Sequence, residues 1–148
     1  MAGEENAAAL KEVCQLHTGV QRERGFPYVR DSVREARRFV LGVVGPRYDQ
    51  GIADDAAIVV TELAANAVLH AASGFSVAVG CSAEAVRISV RDYGPVADAR
   101  QLAVPPGHGL SVVAQIADSW GTEPLPDGKA VWARLPAATE EKGGEMRW

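Results

Sequence analysis

Two alternating apolar runs, separated by a short connection, constrain the fold more than any other feature of the sequence. Apolar side chains recur at every second residue from Phe75 to Cys81, and again at Val86, Ile88 and Val90. A period of two is typical of a β-strand that buries one face. Residues 82–84 are too few for a crossover to a parallel strand, so the pattern predicts an antiparallel hairpin.

Helical spacing precedes this hairpin. Apolar residues every three or four positions predict a first helix that begins at Asp31 and ends at Gly45. A second helix is expected to begin at Asp54 and Asp55, because carboxylates suit the positive N-terminal end of a helix, and to run to about Ala72.

A third helix is predicted from about Leu110, and two further strands near residues 119–123 and 129–135. Helices that accompany neighbouring antiparallel strands favour an α+β two-layer sandwich, with a mixed, mostly antiparallel sheet and helices on one face. One domain is expected over residues 17–136, between an N-terminal tail at 1–16 and a C-terminal tail at 137–148.

Charge and hydropathy exclude several classes of function. The net charge of -4 provides no broad positive field, so direct nucleic-acid binding is not expected. Neither a signal-peptide pattern nor an apolar stretch near the ~20 residues of a membrane span is present, so a cytoplasmic protein without a membrane partner is expected. Cys14 and Cys81 lack the spacing of a metal or redox motif and are expected to be free thiols.

A polar stripe on the predicted second helix is the first candidate for chemistry. Glu62, Asn66 and His70 are spaced four residues apart and therefore line up along one side of the helix. The apolar residues that flank this stripe are Val59, Leu63, Ala64, Ala67 and Val68. Such close apolar borders are typical of a cleft wall, where polar groups need partners. From the helix alone, an equally good interpretation is that Glu62 and His70 form an ordinary side-chain pair on the helix surface without a functional role.

Asp92 and a glycine-containing segment are the other candidates. Asp92 continues the buried alternation of the second hairpin strand, so its carboxylate is expected at the inner edge of the sheet. There it could accept a hydrogen bond from an exocyclic amine such as that of adenine, or simply form a turn. Gly107, His108 and Gly109 precede the third helix, whose free N–H groups suit a phosphate. The segment is neither a dinucleotide fingerprint nor a P-loop, and alone it is a weak signal.

The ordered set of motifs resembles the histidine-kinase-like (GHKL) ATPases, which have the Bergerat fold. Residues 61–70 are similar to the N box of that family, 91–95 to its first glycine box and 107–113 to its second. Residues 117–121 together with 128–132 are similar to the ending of stand-alone anti-sigma-factor serine/threonine kinases. The resemblance covers residues 26–136.

The resemblance implies a role for each site residue. Asn66 would ligate Mg²⁺, Asp92 would hold the adenine amine, and Glu62 would be the catalytic base for a partner serine. His70 would stabilise phosphate charge or orient Glu62, unless it is structural. The other residues implied to contact ATP or ADP are Gly94, Arg100, Gly107, His108, Gly109 and Leu110.

The implied function is phosphorylation of a STAS-type anti-anti-sigma protein on serine and sequestration of a sigma factor; a homodimer is compatible with it. The alternative is a pseudo-kinase, a binding module that regulates a partner by association alone. Three departures from the family pattern favour that alternative. Pro95 replaces a glycine, Ala130 replaces a threonine near the adenine, and the short lid, which ends at residues 104–106, has Arg100 as its cation. A detached domain that phosphorylates histidine is a third, less favoured interpretation.

Overall fold

The computed structural model describes residues 19–94 and 110–137. The elements in chain order are β1 (Val20–Phe26), α1 (Asp31–Val44), α2 (Gln50–Ala71), β2 (Phe75–Cys81), β3 (Ala85–Asp92), α3 (Leu110–Ile116), β4 (Ser119–Leu125) and β5 (Gly128–Pro136). The strands form one sheet in the order β1-β2-β3-β5-β4. Every neighbouring pair among these strands is antiparallel. The predicted α+β sandwich is confirmed, although the sheet described here is wholly antiparallel rather than mixed.

One face of the sheet is buried beneath the helices. Cross-strand neighbours on β2, β3 and β5 form three apolar rows, and none of their members is more than 3% exposed. The rows are Val77-Val90-Val131, Val79-Ile88-Ala133 and Cys81-Val86-Leu135. They pack in one core with apolar side chains of all three helices. The next row in the same register is Phe75-Asp92-Lys129, so the apolar rows end in two charged residues.

The second helix begins earlier than the sequence predicted. α2 starts at Gln50 because Asp49 is its N-cap: its backbone is extended, and its Oδ1 accepts a hydrogen bond from the N–H of Ile52 at 3.0 Å. Gln50 in turn donates to Asp54 Oδ1 at 2.7 Å. The prediction of a start at Asp54 and Asp55 was therefore wrong by about one turn. Partial burial, with Asp54 and Asp49 nearby, raises the pKa of Asp55.

An edge strand forms where the sequence predicted no element. β1 pairs with β2 along its whole length, from Val20 opposite Cys81 to Phe26 opposite Phe75. Between these apolar ends, residues 22–25 are exposed. The charged side chains in that stretch hide the alternation that marks a half-buried strand.

Ala72 ends α2 in the left-handed conformation, with φ 51° and ψ 44°. Among the described residues it is the one non-glycine with a positive φ. Since glycine reaches this conformation without a Cβ clash, Ala72→Gly is expected to raise the free energy of unfolding by about 1 kcal/mol. Urea denaturation measures the change. Ala57→Gly, inside the same helix, serves as the control and should lower the free energy of unfolding by about 1 kcal/mol. A lower free energy of unfolding in both variants would show that the conformation of Ala72 is not strained.

No helix within residues 19–94 and 110–137 combines the length and apolar character that a membrane crossing requires.

Candidate functional site

The polar stripe lies on the border between the core and solvent. α2 packs against β3, β5 and α3, and the apolar residues next to the stripe are buried or half-buried. Glu62 and Asn66 are half-buried, whereas His70 is exposed in the last turn of α2. The stripe thus begins in a sheltered position and reaches the surface at the C-terminal end of the helix.

Asp92 forms a buried ion pair with Lys129. The side chains of the two residues are 4% and 6% exposed, and Lys129 Nζ donates to Asp92 Oδ2 at 2.6 Å. The backbone N–H of Lys129 also donates to Asp92 Oδ1, at 3.3 Å. Asp92 therefore lies at the buried end of β3, as its place in the alternation predicted. Charge compensation by Lys129 permits a carboxylate at this depth.

Gly94 brings the end of β3 against the end of α2. A Cβ at position 94 would overlap the backbone oxygen of Ala71, so any side chain there would force the two elements apart. The backbone N–H of Tyr93 also donates to Ser73 Oγ at 3.0 Å. The structure thereby joins the strand end that carries Asp92 to the helix end that carries His70.

Gly128 holds β5 equally close to β3. A Cβ at position 128 would overlap the carbonyl oxygen of Asp92. This close approach places Lys129 beside Asp92 on the helix-facing side of the sheet. Ala130 pairs with Arg91, and since side chains alternate along a strand it lies on the opposite face. The residue of β5 that faces the site is therefore Lys129 and not Ala130.

Several predicted site residues lie outside the described residues. These are Arg100, Gly107, His108 and Gly109, together with Pro95 and the predicted lid. Leu110 is described as the first residue of α3, and its side chain is 2% exposed in the core. The structure therefore places the end of β3, with Asp92 and Gly94, against the C-terminal end of α2, while the phosphate-binding segment stays a prediction.

Lys129 is the site residue that sequence reasoning missed. It lies two residues before Val131, which begins the buried alternation that continues to Ala133 and Leu135. Extension of that period by one step would have placed its side chain on the core face. A lysine is rarely buried, so the residue type itself gives no sign of this position.

Residues 26–135 match a family described as the histidine kinase-like ATPase domain. The match includes α2, β3, α3 and most of β5, and therefore every candidate site residue. No curated protein is significantly similar to the chain.

Proposed function

Because the chain belongs to the histidine kinase-like ATPase family, whose domains bind ATP or ADP and generally Mg²⁺, we propose that it is an ATP-dependent protein serine kinase of the anti-sigma-factor type. It phosphorylates a STAS-type anti-anti-sigma protein and, in an alternative complex, sequesters a sigma factor. The observation that carries the proposal is that the end of β3, which carries the buried Asp92, lies against the C-terminal end of α2, where the polar stripe ends.

Asp92 is suited to hold the base of the nucleotide. A carboxylate has about four lone-pair positions, and Lys129 occupies two of them. The remaining positions can accept the exocyclic amine of adenine. The next row of the sheet includes Val90 and Val131, so the groups beside Asp92 on this face are non-polar.

Asn66 is suited to hold Mg²⁺ with the phosphates. Magnesium ions in nucleotide sites usually keep several waters and take few protein ligands. The half-buried side-chain oxygen of Asn66 can be one such ligand. The nucleotide phosphates and waters would supply the other ligands. Bound Mg²⁺ would neutralise charge on the transferred phosphoryl group.

Glu62 lies one turn before Asn66 on the same side of α2 and is half-buried. From there its carboxylate can orient the partner serine and accept the proton of its hydroxyl. The serine oxygen forms a bond to the γ-phosphorus as the bond from that phosphorus to the ADP oxygen breaks. Positioning and charge stabilisation supply most of the catalysis in such a transfer.

An apolar groove near the stripe supports a protein partner. The groove has a volume of about 480 Å³, and its lining residues are Tyr28, Val29, Arg30, Val33, Ala65, Val68 and Leu69. Tyr28 is 54% exposed and Leu69, the neighbour of His70, is 75% exposed. Large apolar side chains left in water in one patch are typical of a protein interaction site. A partner bound in this groove would lie beside the C-terminal part of the α2 stripe.

The second candidate function is the pseudo-kinase, a binding module without transfer. The ion pair favours it, because Lys129 already engages both carboxylate oxygens of Asp92. Retention of Glu62 and Asn66 at the border of the core opposes it.

Calorimetry of the purified protein with Mg-ATP and Mg-ADP tests the proposal, together with radiolabelled transfer to STAS proteins encoded nearby. We expect binding in the micromolar range and label on a serine of one partner. No binding up to millimolar nucleotide would replace the kinase with the pseudo-kinase. Binding without transfer to any candidate would leave a nucleotide-dependent binding module.

A further inference from the structure

The buried Lys129 next to Asp92 takes no part in the proposed Mg²⁺ binding or phosphoryl transfer. We propose that Lys129 is a positioning residue for nucleotide recognition: it holds the Asp92 carboxylate in a fixed orientation in which each oxygen keeps a lone pair for the adenine amine. This inference rests on the proposed function, since a positioning residue needs a nucleotide site to serve.

Two hydrogen bonds from a single residue fix the orientation of the carboxylate. Lys129 Nζ reaches Oδ2 at 2.6 Å and the Lys129 backbone N–H reaches Oδ1 at 3.3 Å. Rotation of the carboxylate about its Cβ–Cγ bond would break both contacts. Each oxygen nevertheless keeps a lone-pair position, because each accepts one of these bonds.

The position of Lys129 is itself constrained. Gly128, the residue before Lys129, has no Cβ and therefore lies directly against the carbonyl of Asp92. Asp92 and Lys129 are register partners in the sheet. On the other side, Phe75 is the register partner of Asp92 and is 1% exposed. The ammonium is thus a fixed group of the core rather than a mobile surface charge.

A lysine suits this role better than an arginine. An ammonium is a point charge that can satisfy one carboxylate oxygen and leave the rest of the group accessible. A guanidinium prefers to donate to both oxygens in a fork. An arginine at position 129 would still compensate the buried charge of Asp92, but it would cover the lone pairs to which the adenine amine must donate.

The test compares ATP with purine riboside triphosphate, which lacks the 6-amino group, by calorimetry on the full chain. The wild-type protein is expected to prefer ATP by at least about tenfold, since the amine donates to a charged acceptor. In Lys129→Met the preference should fall to about twofold or less, while the affinity for purine riboside triphosphate stays within about threefold. A folded Lys129→Met protein that retains the wild-type preference would overturn the inference.

Lys129→Arg decides the question if Lys129→Met does not fold. This variant keeps the ion pair and should melt close to the wild-type temperature, yet lose the preference for ATP because its fork covers both oxygens. A merely structural lysine would give wild-type preference in Lys129→Arg, which would overturn the inference.

Arg134→Met is the matched control. Arg134 lies on the same strand and forms a half-exposed ion pair with Asp118. The Arg134→Met protein should prefer ATP over purine riboside triphosphate as strongly as the wild type does. If the wild type binds neither nucleotide, the proposed function fails; if it binds both equally well, ATP binding stands and the positioning role is wrong.

Discussion

Glu62→Gln is expected to lower the rate of phosphoryl transfer to the partner serine by about 10²–10⁴-fold, the usual contribution of a general base. Glutamine keeps the shape of the side chain and the helix around it, but it cannot take the serine proton. Affinity for Mg-ATP should change by less than about threefold, because Glu62 contacts the partner hydroxyl and not the nucleotide. Radiolabelled transfer and calorimetry on the same preparations measure the two quantities.

Glu23→Gln is the control for this experiment. Glu23 is an exposed carboxylate on β1, and its replacement should leave transfer unchanged. Full transfer by Glu62→Gln would remove Glu62 from the catalytic role. Loss of nucleotide binding in the same variant would instead assign Glu62 to the binding site.

Asp92→Asn is expected to impair both stability and nucleotide binding. The change leaves the Lys129 ammonium buried without a counter-charge, which typically costs about 3–5 kcal/mol of the free energy of unfolding. It also replaces one acceptor oxygen with a donor, so ATP affinity should fall at least about tenfold. Urea denaturation and calorimetry below the melting temperature measure the two effects.

The double change Asp92→Asn with Lys129→Met separates these effects. Removal of the buried charge should restore most of the stability but none of the nucleotide affinity. Asp118→Asn is the control, because it breaks a half-exposed ion pair with Arg134 and should cost less than about 1 kcal/mol. Wild-type ATP affinity in Asp92→Asn would exclude Asp92 from the adenine-binding site.

Where a strict period is present, the sequence was sufficient to predict structure. The alternation at Val86, Ile88 and Val90 placed Asp92 at the buried end of β3, where it lies. The hairpin and the order of the later elements followed from the same kind of pattern. The four-residue spacing of the α2 stripe likewise put its members on one side of the helix.

Elsewhere, competing physical effects obscured the pattern. Asp49 precedes α2, and Asp54 and Asp55 lie in its second turn. Asp49 caps the helix because its backbone is extended, which the residue types do not reveal. On β1, residues 22–25 are all exposed at the edge of the sheet, so no alternation of buried and exposed residues marks the strand. Lys129 is buried because Asp92 lies opposite it, and this long-range pairing is visible only in the register of β3 and β5.

The exposed charges of β1 have a consequence for how the protein behaves in concentrated solution. β1 is the last strand on its side of the sheet described here, so its outer backbone groups could pair with the edge of a second molecule. Arg22, Glu23 and Arg24 surround those groups with hydrated charge, which makes self-association through this edge unfavourable. The same residues that obscure the strand in the sequence thus disfavour edge-to-edge pairing through β1.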